Sequence, residues 1–112
     1  MNFRKLEVYQ LAIRFLPIAA RICALIPRGY GDLADQLRRA ATSVPLNIAE
    51  GSGKNTVANQ KRYYADARGS AMECGAIVDS SAAYNFIGTD LVEEAIALLT
   101  SEVRMLSKMC LN

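Results

Sequence analysis

The chain has 112 residues, of which 52% are hydrophobic and 21% are charged, with 13 lysines and arginines against 11 aspartates and glutamates. A chain of this length predicts one globular domain that buries roughly 65% of its extended-chain surface without disulfide or metal cross-links. The sequence contains no histidine, which removes the commonest general base, the commonest zinc ligand and the Ser-His and Cys-His nucleophile pairs. We therefore expect a protein that is not an enzyme and that uses no metal or cofactor.

Cysteine usage and the N-terminal residues bear on the cellular compartment. Cys23, Cys74 and Cys110 have no C-x-x-C spacing, and isolated thiols in odd number are typical of a reduced cytosolic protein. Glu7 and Arg14 interrupt the apolar stretch that a signal peptide would need. The sequence predicts a cytoplasmic protein that binds neither a membrane nor a small-molecule substrate.

The first predicted helix, residues 4–26, carries apolar residues along two seams. One seam consists of Val8, Ala12, Phe15, Ala19, Ile22 and Ile26, and the other of Leu6, Tyr9, Ile13, Leu16, Ala20 and Cys23. A surface helix of a small bundle needs only one broad apolar stripe. Pro17 falls on the polar stripe, where the helix can bend without breaking.

The second predicted helix, residues 32–50, begins with Asp32 as a candidate N-cap and directs Leu37 and neighbouring apolar residues inward. Pro45 lies inside it and cannot donate a backbone hydrogen bond to the carbonyl four residues earlier. We expect a kink in this helix near Pro45.

The third and fourth predicted helices cover residues 57–87 and 90–110, with Thr56 as the cap of the third and a capping box from Asp90 to Glu93 opening the fourth. The fourth helix again has two apolar seams. One consists of Val92, Ile96, Leu99, Val103, Leu106 and Cys110; the other consists of Leu91, Ala95, Leu98, Met105 and Met109, with Glu102 as its only polar member. The surplus seams of the first and last helices predict contacts between subunits, to which we assign Phe15, Ile22, Leu98 and Met105.

The two predicted helices that flank the central loop carry a group of polar residues: Gln36, Asn47, Glu50, Ser70 and Glu73. Carboxylates on facing helices can hold two metal ions, but that arrangement also takes histidines from Glu-x-x-His motifs. A structural network is therefore favoured over a metal or acid–base site, with Arg39 or Arg68 neutralising Glu50 and Glu73.

Six cations surround the middle of the chain: Arg38, Arg39, Lys54, Lys61, Arg62 and Arg68. Tyr63 and Tyr64, beside Lys61 and Arg62, have side chains that can stack on bases. A net charge of +2 is far below that of a dedicated nucleic-acid binder, so a solvated, partly salt-bridged face is the first interpretation. The alternative is a weak, sequence-tolerant contact with nucleic acid or another partner.

Residues 30–53 and 67–73 resemble the four-helix-bundle proteins encoded in intervening sequences of bacterial 23S ribosomal RNA genes. The matching positions are Gln36, Arg39, Ala40, Ser43, Pro45, Asn47, Ala49, Glu50 and Gly51 in the second helix, and Gly69, Ser70 and Glu73 in the third. The resemblance implies an antiparallel up-and-down bundle that assembles into a ring-shaped homopentamer, in a family without an established catalytic function.

The accessory proteins of diversity-generating retroelements are similar in fold, and they present a basic surface to a reverse transcriptase and nucleic acid. Together, the apolar seams and the resemblance predict a self-assembling accessory or scaffold protein whose first partner is another copy of itself. The alternative that stays open is a module that binds RNA or a nucleic-acid-associated protein.

Overall fold

A computed structural model of the chain describes residues 1–111 and contains four α-helices in this range. The helices are α1 (Glu7–Leu25), α2 (Gly31–Ser52), α3 (Val57–Ala83) and α4 (Thr89–Cys110). Short 3-10 turns at Asn2–Lys5 and Arg28–Tyr30 precede α1 and α2, and no strand is present among the described residues. The predicted all-α class and the four predicted helices are confirmed.

The four helices pack as a square bundle with principal extents of 44 × 23 × 23 Å. α1 packs against α2 and α4, and α3 packs against the same two helices, so α1 and α3 lie on one diagonal. The first residues of the chain, the α2–α3 loop and the end of α4 lie together at what we call the terminal end. The α1–α2 and α3–α4 connections lie at the opposite, connection end.

Of the three predicted N-cap side chains, only that of α3 forms a capping hydrogen bond. The Thr56 side chain accepts a hydrogen bond from the backbone N–H of Asn59 at 3.2 Å. By contrast, α2 and α4 each begin one residue before the predicted aspartate cap, and neither has a side-chain cap. Asp32 and Asp90 instead lie in the first turns, where a negative charge interacts favourably with the helix dipole.

The end of α3 is set by Asn85, which has a φ of 65°. The backbone N–H of Phe86 donates to the Ser81 carbonyl at 2.9 Å, and that of Asn85 donates to the Ala82 carbonyl at 2.9 Å. These two bonds form a Schellman motif, in which asparagine is tolerated at the left-handed position. The helix therefore stops at Ala83, earlier than the predicted residue 87.

The core takes all of one α1 seam and only part of the other. Val8, Ala12, Phe15, Ala19, Ile22 and Ile26 are all buried. Along the other seam Cys23 is buried, Leu16 is partly buried against the core, and Ile13 is 40% exposed. The structure thus settles which seam of α1 belongs to the chain's own core.

This orientation corrects the predicted subunit interface. Phe15 is 1% exposed and Ile22 is 0% exposed, because both side chains pack between the helices of their own bundle. Their assignment to contacts between subunits is therefore wrong. Leu98 and Met105 are half-buried at the edge of the same core.

Both helical prolines lie within uninterrupted helices. Pro17 is exposed on α1, and Pro45 is buried on α2. Helix α2 continues through Pro45 to Ser52, and the kink near this residue remains a prediction.

Helix α1 is long and apolar enough to cross a membrane by length and composition alone. The core helix of a globular protein passes the same test, and α1 contributes eight buried residues to the bundle. The cytoplasmic location remains a prediction.

Two leucines of α2 test the facing of this helix directly. Leu37 is 0% exposed, whereas Leu46 is 61% exposed. We expect Leu37→Asp to unfold the protein, because it buries a charge without a partner, at a cost of several kcal/mol. Leu46→Asp makes the same chemical change in water and is expected to shift stability by less than about 0.5 kcal/mol. Circular dichroism during urea unfolding distinguishes them, and a stable Leu37→Asp protein would show that the facing of α2 is misassigned.

Candidate functional site

A hydrogen-bonded cluster of small polar side chains joins α2 to α3. The hydroxyls of Ser43 and Ser70 lie 2.8 Å apart, and the Asn47 side-chain amide donates to the Ser43 hydroxyl at 2.9 Å and to its carbonyl at 3.0 Å. Ser43 is thus the bridging member, although the predicted polar network did not include it. The cluster satisfies half-buried polar groups between two tightly packed helices.

The other members of the predicted network lie outside this cluster. Gln36, Glu50 and Glu73 are exposed. Glu50, near the end of α2, forms an ion pair at 3.4 Å with Lys54 of the following loop. Arg68, one of the two cations expected to neutralise the glutamates, instead donates to the Ser107 hydroxyl of α4 at 2.7 Å. The carboxylates of Glu50 and Glu73 are solvated at the surface and need no hydrogen-bonded network.

Close contact at the end of α2 requires a glycine. A Cβ atom on Gly51 would lie 2.8 Å from Cε1 of the Tyr64 ring and 3.1 Å from Cβ of Tyr63. Both separations are shorter than an unstrained carbon–carbon contact. Gly51 therefore lets the last turn of α2 lie directly against the first turns of α3, which positions the α2–α3 loop.

The six predicted cations do not form one continuous patch. Arg38 pairs with Asp35 at 2.8 Å on the outer face of α2, while Arg68 faces α4. At the terminal end, the Lys54 ammonium lies 4.9 Å and the Arg62 guanidinium 5.5 Å from the centre of the Tyr63 ring. Arg39 is exposed, and Lys61 is half-buried on α3. The cations are spread over different faces of the bundle.

Two shallow apolar grooves lie between neighbouring helices, each of about 220 Å³. The α1–α2 groove is lined by Leu16, Ala19, Ala20, Arg38, Ala41 and Thr42. The α3–α4 groove is lined by Ala71, Met72, Gly75, Ile96, Leu99, Thr100 and Val103. Because the helices form a square in chain order, these grooves lie on opposite sides of the bundle.

Neither groove resembles an active site. Each is lined mainly by alanines, aliphatic side chains and threonine, and Arg38 is the only charged residue in either lining. Within residues 1–111, no group of three or more His, Cys, Asp or Glu side chains could hold a metal ion. The grooves are suited to contact with another apolar protein surface.

The most unusual side chain of the core is Glu102 of α4. It is 0% exposed, and neither carboxyl oxygen has a hydrogen-bond partner among the described residues. Burial raises the pKa of Glu102 to about 8. Cys74 of α3 shares this environment, and burial, followed by the nearby Glu102, raises the pKa of its thiol to about 12. Both groups are uncharged at neutral pH.

The raised pKa of Glu102 makes stability dependent on pH. Between pH 4.5 and about 8 the folded protein keeps a proton on this carboxyl that the unfolded chain releases. The stabilising contribution of the protonated form is therefore complete at low pH and is lost as pH rises toward 8. The glutamine side chain of Glu102→Gln does not ionise, so this pH-dependent change in stability is absent from the variant.

We compare the free energy of unfolding of Glu102→Gln with that of the unmodified protein. Between pH 5 and pH 8 we expect this difference to shift by roughly 3 kcal/mol in favour of the variant. Urea unfolding at several pH values measures this difference, which also cancels the titration of all other groups. A difference that is constant across this range would mean that Glu102 is solvated or paired in the folded protein.

Comparison with known proteins agrees with the fold. A family model described as 23S rRNA-intervening sequence protein matches residues 4–108, which include α1, α2, α3 and nearly all of α4. A search of curated proteins finds no match. The matched range contains the Ser43–Ser70 cluster, Gly51 against Tyr64, and the buried Glu102. By this match over almost its whole length, the chain belongs to the family of 23S rRNA-intervening sequence proteins.

Proposed function

We propose that this protein is a self-assembling accessory or scaffold protein without enzymatic activity, whose subunits meet head-to-tail in a closed ring. The observation that carries the proposal is the pair of apolar grooves on opposite sides of the bundle. A neighbouring subunit can cover the apolar side chains that line these grooves, including the exposed Met72.

The opposite placement of the grooves favours a heterologous interface. If the α3–α4 groove of one subunit covers the α1–α2 groove of the next, each subunit uses both surfaces once, and repetition with a fixed rotation between neighbours closes a ring. A symmetric dimer would instead use the same groove twice and leave the other exposed. The resemblance to the family supplies the number of subunits, which we propose is five.

The side chains in the grooves suit this contact. Met72 is 52% exposed at the α3–α4 groove, and methionine adapts its shape to an irregular partner surface. Gly75 beside it, and Ala19 and Ala20 in the α1–α2 groove, leave room for a neighbouring backbone to approach. We place Met72 of one subunit against the alanines of the next.

A role without catalysis is supported by the surroundings of the reactive groups. The hydroxyls of Ser43 and Ser70 bond to one another, and the Ser43 hydroxyl also accepts from the Asn47 amide, with no titratable base in the cluster. The one strongly perturbed carboxyl, Glu102, is shielded from solvent. Neither of the two grooves, as the described residues line them, brings a nucleophile, a base and an oxyanion donor together.

Weak nucleic-acid binding through the six cations named from the sequence is less well supported. Such binding gains affinity when several cations lie close together on one surface. Here Arg38 and Lys54 are paired with carboxylates, and Arg68 is turned toward α4. Self-assembly through the grooves is therefore better supported than nucleic-acid binding through the predicted basic patch.

Met72→Glu tests the proposed interface. Because the side chain is exposed in the single bundle, we expect the variant to fold normally but to lose assembly at every interface of the ring at once. Light scattering after size-exclusion chromatography should give a pentamer mass for the unmodified protein and a monomer mass for Met72→Glu.

Val57→Glu is the matched control, because Val57 is 65% exposed on the same helix and lies outside both grooves. It should assemble like the unmodified protein. A monomeric unmodified protein at micromolar concentration would overturn the proposal, as would a Met72→Glu variant that still assembles.

A further inference from the structure

Side-chain charge is divided between the two ends of the bundle. The half nearer the terminal end consists of residues 1–15, 43–70 and 100–111, which contain nine cations and, besides the buried and uncharged Glu102, three acids. The half nearer the connection end contains four cations and seven acids. The net side-chain charge is therefore +6 in the first half and −3 in the second.

The residues that carry this difference come from every helix. The cations of the terminal half are Arg4, Lys5, Arg14, Lys54, Lys61, Arg62, Arg68, Arg104 and Lys108. The acids of the connection half are Asp32, Asp35, Glu73, Asp79, Asp90, Glu93 and Glu94.

The fold produces this separation of charge, which is not apparent from the order of the residues in the chain. Contacts across the bundle place Ser43 beside Ser70 and Arg68 beside Ser107. Arg21 pairs with Glu94 at 3.0 Å in the connection half. The first halves of α1 and α3 are thus brought together with the second halves of α2 and α4, and we call the half that holds their cations the basic region.

The basic region covers the sides of the bundle as well as its end. Arg14 lies seven residues into α1, which is about 10 Å along the helix from Glu7. Arg104 lies similarly far from the end on α4, and both side chains are exposed. A flat lipid surface would touch only the end, whereas a flexible chain can follow cations along the sides.

We propose that the terminal half of the bundle binds the phosphate backbone of single-stranded nucleic acid. Arginine and lysine neutralise phosphates and release their counterions. The Tyr63 ring, whose centre lies 4.9 Å from the Lys54 ammonium and 5.5 Å from the Arg62 guanidinium, lies next to that path. The acidic connection half repels the same polyanion, so that the protein approaches it with the terminal end first.

In the ring proposed above, cyclic symmetry places every terminal end on the same face. This consequence rests on the proposed function, whereas binding by a single bundle does not. Assembly is therefore measured separately, by light scattering on each variant used below.

A matched pair of charge reversals tests the location. Lys5→Glu with Arg104→Glu changes the terminal half, and Arg28→Glu with Arg39→Glu changes the connection half by the same formal charge; all four side chains are exposed. Fluorescence anisotropy with a labelled 20-nucleotide single-stranded RNA, at about 50 mM and 200 mM salt, measures the affinity.

The unmodified protein should bind the RNA at the lower salt and lose most of this affinity at the higher salt. We expect the terminal pair to weaken binding at least about tenfold and to reduce the salt dependence by about 0.7 per lost phosphate contact. The connection pair should bind nearly as well as the unmodified protein, because salt screens its added repulsion over the length of the bundle. Circular dichroism confirms that each variant is folded.

Arg4→Ala with Lys5→Ala serves as a second test, because the 3-10 turn that carries them contains no buried residue. This pair should also weaken binding. Equal losses in both charge-reversal pairs would overturn the proposal, since net charge alone would then explain binding. So would the absence of RNA binding at low salt, or binding to vesicles of anionic phospholipid in place of RNA.

Discussion

Each helix of this bundle buries one face against its two neighbours, and the apolar residues of α1 and α4 exceed what one face can hold. In α1 the core takes the seam that contains Phe15 and Ile22. The seam that contains Ile13 and Leu16 is left at or near the surface. Because the square arrangement sets which faces meet, it also decides where the remaining apolar residues form grooves. The proposed assembly follows from this division.

The buried carboxyl of Glu102 is the exception within an otherwise apolar core. Ser81, the other buried polar residue, donates to the Ile77 carbonyl of its own helix at 2.8 Å, whereas the Glu102 oxygens have no such partner among the described residues. An unpaired buried carboxyl is tolerated only in its neutral form, which is why the pKa is raised. Glu102 therefore costs stability at neutral pH, and within residues 1–111 no hydrogen bond of its carboxyl group offsets this cost.

Much of the fold could be predicted from residue periodicity. Four helices, the Thr56 cap and the inward face of α2 around Leu37 all follow from local patterns. Periodicity did not distinguish between the two seams of α1, since both have helical spacing, and the interface role assigned to Phe15 and Ile22 was wrong for this reason. The end of α3 depends on the left-handed conformation of Asn85, which a search for glycine does not find.

The candidate surfaces were harder to predict because they combine residues that are distant in the chain. The sequence pointed to Asn47 and Ser70, but the bridging role of Ser43 requires the α2–α3 register. Cations near the middle of the chain formed the predicted patch. The folded bundle instead places Lys54 and Arg62 in the same half as Arg4, Lys5 and Arg104, from the beginning and end of the chain. Antiparallel packing creates this grouping, and local sequence does not record it.

The head-to-tail contact between opposite grooves is the central claim, and cross-linking between two variants that each carry one accessible cysteine tests it most directly. Ala20→Cys marks the α1–α2 groove and Met72→Cys the α3–α4 groove, both at exposed positions. Cys23 and Cys74 are buried, and Cys110→Ser removes the remaining accessible thiol. A short bis-maleimide should join the two variants when they are co-expressed, and should join neither variant to itself. Cross-links within either variant alone, or none in the mixture, would contradict the account.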